Sequence, residues 1–416
     1  MDEETKNQKF DNTKNQIDKS FENEILAEES YAVKIIKRIL IEAVEKKASD
    51  IFFEPLEDVF RIRYRIDGLL CEAEKYSLEL APYVINAIKV LSSLDIAEHR
   101  FPQDGSFYLH FGEKKVDFRV STLPTNLGEK VVLRVLDKSN LKLDLDALGF
   151  DIASVEILKK NLKKPYGMIL ICGPTGSGKT TTLYSCLQFI NSVKVNIVAV
   201  EDPVEFQLPG INQVSIQENI GLTFASALRA ILRQDPNIIL VGEIRDLETA
   251  DIAIKASLTG HLVLSTLHTT TSTAAIIRLI NMGIEPFLVA TSCLVSASQA
   301  LCRVLCSYCK KETDIPEIFL KELKNKNLKI PENFKYYKAV GCKFCNNTGY
   351  SGRIGIIEIL EIDEKLRELL IRSEPEIKIR EMAIKKGMRT LREKALEKVF
   401  EGLTTFEEVY RVTSAE

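Results

Sequence analysis

No long apolar run is present in this 416-residue sequence. The longest stretch without a charged residue, Pro286–Cys302, lies between Glu285 and Arg303 and carries Thr291, Ser292, Ser296, Ser298 and Gln299. It falls short of the ~20 apolar residues a spanning helix needs. No apolar core follows a basic start at the N-terminus, so no secretory signal is expected. A cytoplasmic setting follows, where thiols stay reduced. An excess of one charge is lacking too: 56 basic against 59 acidic residues leave −3. That argues against a strongly basic nucleic-acid coat. Hydrophobic residues at 45% and charged residues at 28% exclude a wholly disordered or collagen-like chain. No internal repeat or long low-complexity segment occurs. The length suits two to three domains, with cores that need no disulfides.

Residues 1–29 form a polar leader expected to be disordered. Ile35, Ile36, Ile39, Leu40 and Val44 recur at helical spacing and predict a helix over Tyr31–Lys47. Strands are expected at Ser49–Glu54 and Val59–Ile66. In the second, Phe60, Ile62, Tyr64 and Ile66 alternate with Arg61, Arg63 and Arg65, and Asp67-Gly68 follows as a turn. A helix over Leu80–Leu94 and strands at Ser106–Phe111, Val116–Ser121 and Lys130–Leu136 complete a small α+β domain over 30–140. Residues 141–165 read as a linker that Leu148-Gly149-Phe150 docks. Beyond it, short apolar runs at Met168–Cys172, Asn196–Val200, Ile238–Val241 and Leu262–Ser265 alternate with helical stretches. That alternation predicts a parallel α/β core over 166–302. Residues 303–352 read as an irregular cysteine-bearing module. Residues 353–416 are expected to be mainly helical, with a charged tail from Glu358 onward.

The strongest chemical signal is Gly173-Pro174-Thr175-Gly176-Ser177-Gly178-Lys179-Thr180, which fits G-x-x-x-x-G-K-[ST]. An apolar strand runs into it, and a helix beginning at Thr181 runs out. Glycines let backbone N–H groups curl around phosphate oxygens, and the helix N-terminus adds positive potential. Gly173, Pro174, Thr175, Gly176, Ser177, Gly178, Lys179, Thr180 and Thr181 are therefore candidates for binding ATP or GTP. Lys179 would reach the β/γ-phosphates and Thr180 would ligate magnesium. Cys172 and Cys186 flank the cradle and read as small core residues.

Nucleotide hydrolysis needs acidic groups for metal and water. Val200-Glu201-Asp202-Pro203-Val204-Glu205-Phe206 and Val241-Gly242-Glu243-Ile244-Arg245-Asp246 follow apolar strands. Acids just past parallel strands face the phosphate crevice. Glu243 is read as functional, Asp246 as a helix cap, and the first cluster stays open between a solvated loop and a catalytic one. Of four histidines, His261 and His268 bracket one strand, as packed side chains or as γ-phosphate sensors.

Taken in order, these motifs, with Asp235-Pro236-Asn237 and the Thr259-Gly260-His261 to Thr266-Leu267-His268-Thr269 stretch, resemble the secretion ATPases. More narrowly they resemble the type II secretion and type IV pilus assembly ATPases (the GspE/PilB family), over roughly residues 45–416. The resemblance implies a RecA-like P-loop NTPase core, a small N-terminal α+β (PAS-like) domain, a zinc-binding tetracysteine module and a helical C-terminal region. It implies a homo-hexamer in which the N-terminal domain of one subunit covers the nucleotide of another. Position by position, it makes Glu205 the water-activating carboxylate, Glu243 the Walker B acid, and His261 with His268 the His-box pair. Val116–Pro124 and Glu129–Arg134 resemble the arginine-finger region, with Arg119 and Arg134 at the γ-phosphate. The residues alone do not single these two out from Arg61, Arg63 and Arg65. Implied cofactors are ATP, Mg²⁺ and Zn²⁺. Implied partners are an inner-membrane platform protein and a cytoplasmic adaptor, with no nucleic acid and with membrane association through partners only. Two departures stand out: few residues precede the first domain, and Gly105-Ser106-Phe107 lacks the arginine many relatives carry after the glycine.

Nine cysteines need a reason in a reducing compartment. Cys71, Cys172, Cys186, Cys293 and Cys302 are scattered. Cys306 with Cys309 and Cys342 with Cys345 form two C-x-x-C hooks, enough for a closed zinc site, with two disulfides as the other reading. In the family such a module resembles assembly and export members rather than retraction ATPases. Competing readings are a RecA-like nucleic-acid motor, disfavoured by the −3 charge and the lack of a long basic tract, and a non-hydrolytic nucleotide-binding regulator. Lys179, Glu205 and Glu243 argue against the latter.

Overall fold

In the computed structural model, residues 31–112, 114–137, 143–325, 331–332 and 334–413 are described. The leader expected at 1–29 lies outside them. The chain divides into two compact units, Met1–Leu141 and Lys142–Glu416.

The first unit runs α1 (Tyr31–Glu45), β1 (Asp50–Pro55), β2 (Phe60–Ile66), β3 (Leu69–Tyr76), α2 (Ala81–Leu91), β4 (Gln103–Phe111), β5 (Lys114–Thr125) and β6 (Gly128–Asp137). The strands form an antiparallel sheet in the order β3-β2-β1-β6-β5-β4. Period-2 alternation decides its faces. Phe53, Phe60, Ile62, Tyr64, Phe118, Val131 and Leu133 point inward and pack with Ile35, Ile36, Ile39 and Leu40 of α1 and Ile85 and Ile88 of α2. The opposite face carries the arginines of β2, β5 and β6. The strand β3 was not anticipated: its mixed sequence LLCEAEKY is largely exposed, so no alternation marks it.

The second unit is a seven-stranded sheet in the order β15-β12-β7-β11-β10-β8-β9. It comprises β7 (Gly167–Cys172), β8 (Ile197–Glu201), β9 (Asn212–Ser215), β10 (Ile238–Val241), β11 (Leu262–Leu267), β12 (Cys293–Leu305) and β15 (Tyr350–Glu361), while β13 (Lys311–Glu312) and β14 (Tyr337–Lys338) pair separately. All neighbours in the large sheet run parallel except β12 with β15. Helices cover both faces. One side holds α3 (Ile152–Leu162) and α4 (Lys179–Ile190). The other holds α5 (Phe224–Ile231), α6 (Leu247–Leu258), α7 (Ser272–Asn281), α8 (Pro286–Ser292), α10 (Glu364–Ile371) and α11 (Glu376–Lys385). Buried on both faces, the central strands read as continuous apolar runs.

Three expectations are corrected. The segment 141–165 is not a linker throughout: α3 buries Val155, Leu158 and Leu162 in the core, and Lys160 bonds Glu361 at 2.8 Å. Docking by Leu148-Gly149-Phe150 is observed, since Gly355 N–H donates to the Leu148 carbonyl at 3.0 Å and Phe150 is buried. The tail is not helical from Glu358. β15 runs to Glu361, and Glu358 is fully buried, accepting from the Ser272 hydroxyl at 2.5 Å and pairing with Arg380 at 3.2 Å. Last, the uncharged run after Glu285 holds α8 and the long strand β12. β12 crosses the boundary expected at 302/303, and β15 crosses the one at 352/353. The cysteine module is therefore continuous with the sheet. Its helix α9 (Glu317–Asn325) packs Phe319 and Leu323 with Cys302, with Leu396 of α12 (Leu391–Phe400) and with Phe406 of α13 (Phe406–Thr413). Among the described residues no helix is long and apolar enough to cross a membrane.

Candidate functional site

The cradle forms where β7 ends. Gly173, Gly176 and Gly178 take φ of +144°, +79° and +90°, backbone that L side chains avoid. A Cβ on Gly173 would lie 2.4 Å from the Gln299 carbonyl oxygen, and one on Gly178 would lie 2.9 Å from Gln299 Nε2. Gly178 caps α4 without a side-chain bond, leaving the first N–H groups of the helix to an anion. Lys179 folds over the loop, donating to the carbonyls of Gly173 at 2.8 Å and Pro174 at 3.1 Å. Burial pushes its ammonium below the usual lysine range, partly offset by Cys172 and Glu243. Ser177 Oγ is buried without a hydrogen-bond partner among the described residues. An amide-lined concavity with a desolvated cation and an orphaned hydroxyl fits a phosphate chain and its magnesium.

The parallel register carries further groups to the same edge, because Cys172 pairs with Leu267, and Val241 with Ser265 and Val200. Glu243, directly past β10, accepts from Arg245 at 2.5 Å and bonds His268 Nε2 at 3.0 Å. Arg245 also reaches Asp202 at 3.6 Å. Glu243, His268, Arg245 and Asp202 thus form one charged cluster, of which Arg245 and Asp202 carried no sequence signal beyond their place in the motifs. Asp246 caps α6 by accepting from Thr249 N–H at 2.8 Å, as expected.

His261 lies elsewhere. It stands at the opposite end of β11, its Nδ1 3.0 Å from the Ala256 carbonyl at the C-terminal end of α6, and its own carbonyl accepts from Gly167 N–H. Seven residue steps at ~3.3 Å each separate it from His268, about 23 Å. Within one chain only His268 joins the cluster.

Glu205 lies half-buried on the loop between β8 and β9. That loop hangs on α4 through groups the sequence reading passed over. Tyr184 donates to Glu201 at 2.5 Å. Gln213 donates to Glu201 at 3.0 Å and to the Phe206 carbonyl at 3.2 Å, and accepts from Leu208 N–H at 2.7 Å. The Glu205 backbone bonds Tyr184 as well. Burial pushes the Glu201 carboxyl above its usual range, against the bonds from Tyr184 and Gln213.

Arg119 and Arg134 belong to the first unit and face each other across β5 and β6, with Ser106 next in line opposite Arg119. Arg134 Nε lies 3.4 Å from Asp50, which Arg65 also approaches at 3.3 Å. Glu54 takes Arg61, Arg63 and Lys130 at 3.2, 2.8 and 3.2 Å. The structure therefore sorts the β2 arginines, which the sequence left equivalent, onto carboxylates of β1.

Cys306, Cys309, Cys342 and Cys345 bring their sulfurs within 4.8 Å of one another. Cys306–Cys342, Cys309–Cys345 and Cys342–Cys345 stand at 3.9, 3.8 and 3.7 Å. A tetrahedron with Zn–S bonds of ~2.3 Å has edges of about 3.8 Å. Backbone N–H groups of Gly341 and Gly349 point at Cys309 and Cys345 at 3.3 and 3.2 Å, as thiolates require. The four sulfurs thus fit a zinc ion, and the disulfide reading does not hold, since all four are free.

Similarity to known proteins agrees with this geometry. The family model described as type II/IV secretion system protein matches residues 26–411. The type IV pilus assembly ATPase PilB of Myxococcus xanthus is 49% identical over 385 residues, covering 92% of this chain and 68% of that protein. The type II secretion system protein E of Aeromonas hydrophila is 48% identical over 381 residues, with coverages of 92% and 75%. Among solved structures, the pilus retraction motor PilT with bound ADP superposes with a TM-score of 0.61 at 25% identity, covering 90% of this chain and 95% of that one. The Legionella pneumophila ATPase DotB, at 20% identity and a TM-score of 0.67, shares the fold over 92% of this chain and 96% of its own. A phosphate cradle on a RecA-like sheet and a match along nearly the whole chain lead to one conclusion: this protein belongs to the type II/IV secretion system ATPase family and is an ATP hydrolase.

Proposed function

We propose that the chain is a ring-forming motor that uses ATP hydrolysis to drive type IV pilus assembly or type II secretion, working in the cytoplasm against an inner-membrane platform protein. The observation that carries the reading is the convergence of the cradle, Glu243 and His268 at one edge of the parallel sheet, where a nucleotide lies in folds of this kind. The high identity to pilus assembly and secretion ATPases supports the choice of machine.

In this reading the amides of Gly173–Thr181 and the Lys179 ammonium hold the phosphates. Thr180, with Glu243 behind it, would hold magnesium, which would supply positive charge against the phosphates. Glu205 orients the attacking water and accepts its proton, while the Tyr184–Glu201–Gln213 lock keeps its loop in place. His268, bonded to Glu243, registers whether the γ-phosphate is present. Arg119 and Arg134 are assigned to the nucleotide of an adjoining subunit in a homo-hexamer, and an arginine supplied in this way is worth ~10³–10⁵ in rate. The Cys306, Cys309, Cys342 and Cys345 cluster holds structural zinc, with no open position for catalysis. A cytoplasmic adaptor and membrane association through partners complete the proposal.

Glu243→Gln is the test. Nucleotide binding should persist while phosphate release falls to background. Wild-type turnover in that variant would remove Glu243 from the mechanism.

A further inference from the structure

The cradle leans on a residue from a distant strand. Gln299, on β12, is 2% exposed, and its side chain makes two hydrogen bonds to the phosphate loop and its helix. Oε1 accepts from the Thr182 hydroxyl at 2.7 Å, and Nε2 donates to the Ser177 carbonyl at 2.8 Å. Chemistry fixes the amide's orientation. The Ser177 carbonyl can only accept, so the nitrogen must face it, and the hydroxyl of fully buried Thr182 supplies the proton for the oxygen. Gly173 and Gly178, the two fixed glycines of the motif, are the positions where a Cβ would strike Gln299. The tight approach of loop to strand is thus built into both sides.

From this geometry we propose that Gln299 is a positioning residue for the nucleotide phosphates. The Ser177–Gly178 peptide is trans, so drawing the Ser177 carbonyl towards β12 turns the Gly178 N–H the opposite way, away from β12. Gln299 thereby aims a phosphate-binding amide without touching the nucleotide, and Thr182 holds Gln299 in the orientation that does so. The proposal rests on the reading that residues 173–181 bind the nucleotide. It assigns the aim of that loop to β12, which no phosphate-loop motif includes. Left untethered, the peptide is free to rotate, and the bound state must then supply the ordering.

The experiment measures ADP dissociation constants, ATP kcat and KM, and thermal unfolding of the full chain for Gln299→Met, Thr182→Val, Thr182→Ser and Lys179→Ala. Gln299→Met keeps the volume and loses both bonds. Its ADP Kd and ATP KM should rise roughly ten- to hundredfold, the range of one hydrogen bond to a charged group. Thr182→Val should shift both in the same direction by less, Thr182→Ser should bind as wild type, and the Gln299→Met/Thr182→Val pair should be no worse than Gln299→Met alone. A packing role would move the unfolding midpoint and leave the nucleotide affinity of the folded protein unchanged. Folded Gln299→Met with an ADP Kd within twofold of wild type overturns the proposal, as do additive effects in the pair. Should Gln299→Met fail to fold, wild-type affinity in Thr182→Val overturns it instead. Lys179→Ala separates the two levels: if it binds ADP as wild type does, the nucleotide-site reading falls; if it loses ADP while Gln299→Met does not, only the role of Gln299 falls.

Discussion

Replacing Tyr184 with phenylalanine removes one oxygen atom and tests how the Glu205 loop is held. The ring keeps its edge contact with Phe206, 4.6 Å between centroids, so no cavity opens. What disappears is the donor to Glu201 at 2.5 Å and the acceptor for the Glu205 backbone. Glu201 is buried, and burial already raises its carboxyl pKa against the help of Tyr184 and Gln213. Losing Tyr184 raises it further. A carboxyl whose folded pKa lies above its unfolded value favours the folded state most below the unfolded pKa of ~4.3, and that contribution is lost as pH rises through the folded pKa. The substitution steepens that loss. At pH 8 its cost is that of a bond to a charged group, ~1.5–3 kcal/mol; lowering the pH to 5 moves it towards the ~0.5–1.5 kcal/mol of a neutral bond, because proton uptake by Glu201 is increasingly favoured. For a domain this size that is a midpoint drop of about 3–6 °C at pH 8. Unfolding scans of both proteins at the two pH values read the difference directly. In parallel, kcat should fall about 10–100-fold as the loop drifts, with the ADP Kd unchanged because the cradle is intact. An equal midpoint drop at pH 5 and pH 8 would refute the electrostatic account, and an unchanged kcat would refute the loop account.

Other expectations follow from single contacts. Gly173→Ala puts a methyl 2.4 Å from the Gln299 carbonyl oxygen at φ +144°, so nucleotide binding should be lost, as equilibrium titration with ADP will report. His268→Ala should cut turnover severalfold or more and His261→Ala much less, because only His268 touches Glu243; equal losses in phosphate-release assays would contradict the placement. One zinc per chain should be released by a thiol-modifying reagent and counted with a chromophoric chelator. Its removal should loosen α12 and α13 and the α9 that packs on them, since a structural zinc contributes ~10–16 kcal/mol and residues beside the cysteines hold the α12–α13 connection: Leu305 N–H donates to the Leu403 carbonyl at 2.7 Å and Lys310 to the Gly402 carbonyl at 2.9 Å. Hydrogen exchange that stays slow in those helices after zinc release would show them to be independent of the metal.

The cradle was fully legible in the sequence because its chemistry is local. A glycine pattern, a lysine and a helix start are contiguous, and the flanking apolar runs fix strand and helix without further context. The same holds for the alternating face of β2 and for the four cysteines, whose spacing already limits their chemistry. Harder to read were β12 and β15. β12 is buried on both faces and carries Ser296, Ser298 and Gln299 among its apolar residues, and β15 ends in acidic residues that look solvated until Ser272 and Arg380 are seen around Glu358. Periodicity has nothing to report where both faces are covered or where a buried charge has a distant partner.

Local sequence, then, determined the glycine cradle and the paired cysteine hooks, because each needs only its near neighbours. Tertiary structure alone decided which histidine of the pair reaches Glu243, which arginines Glu54 holds, and that Gln299 supports the loop. Each of those outcomes turns on strand register, and register is set by how the whole sheet buries its faces, over separations from 7 residues for Arg61 and Glu54 to 122 for Gln299 and Ser177.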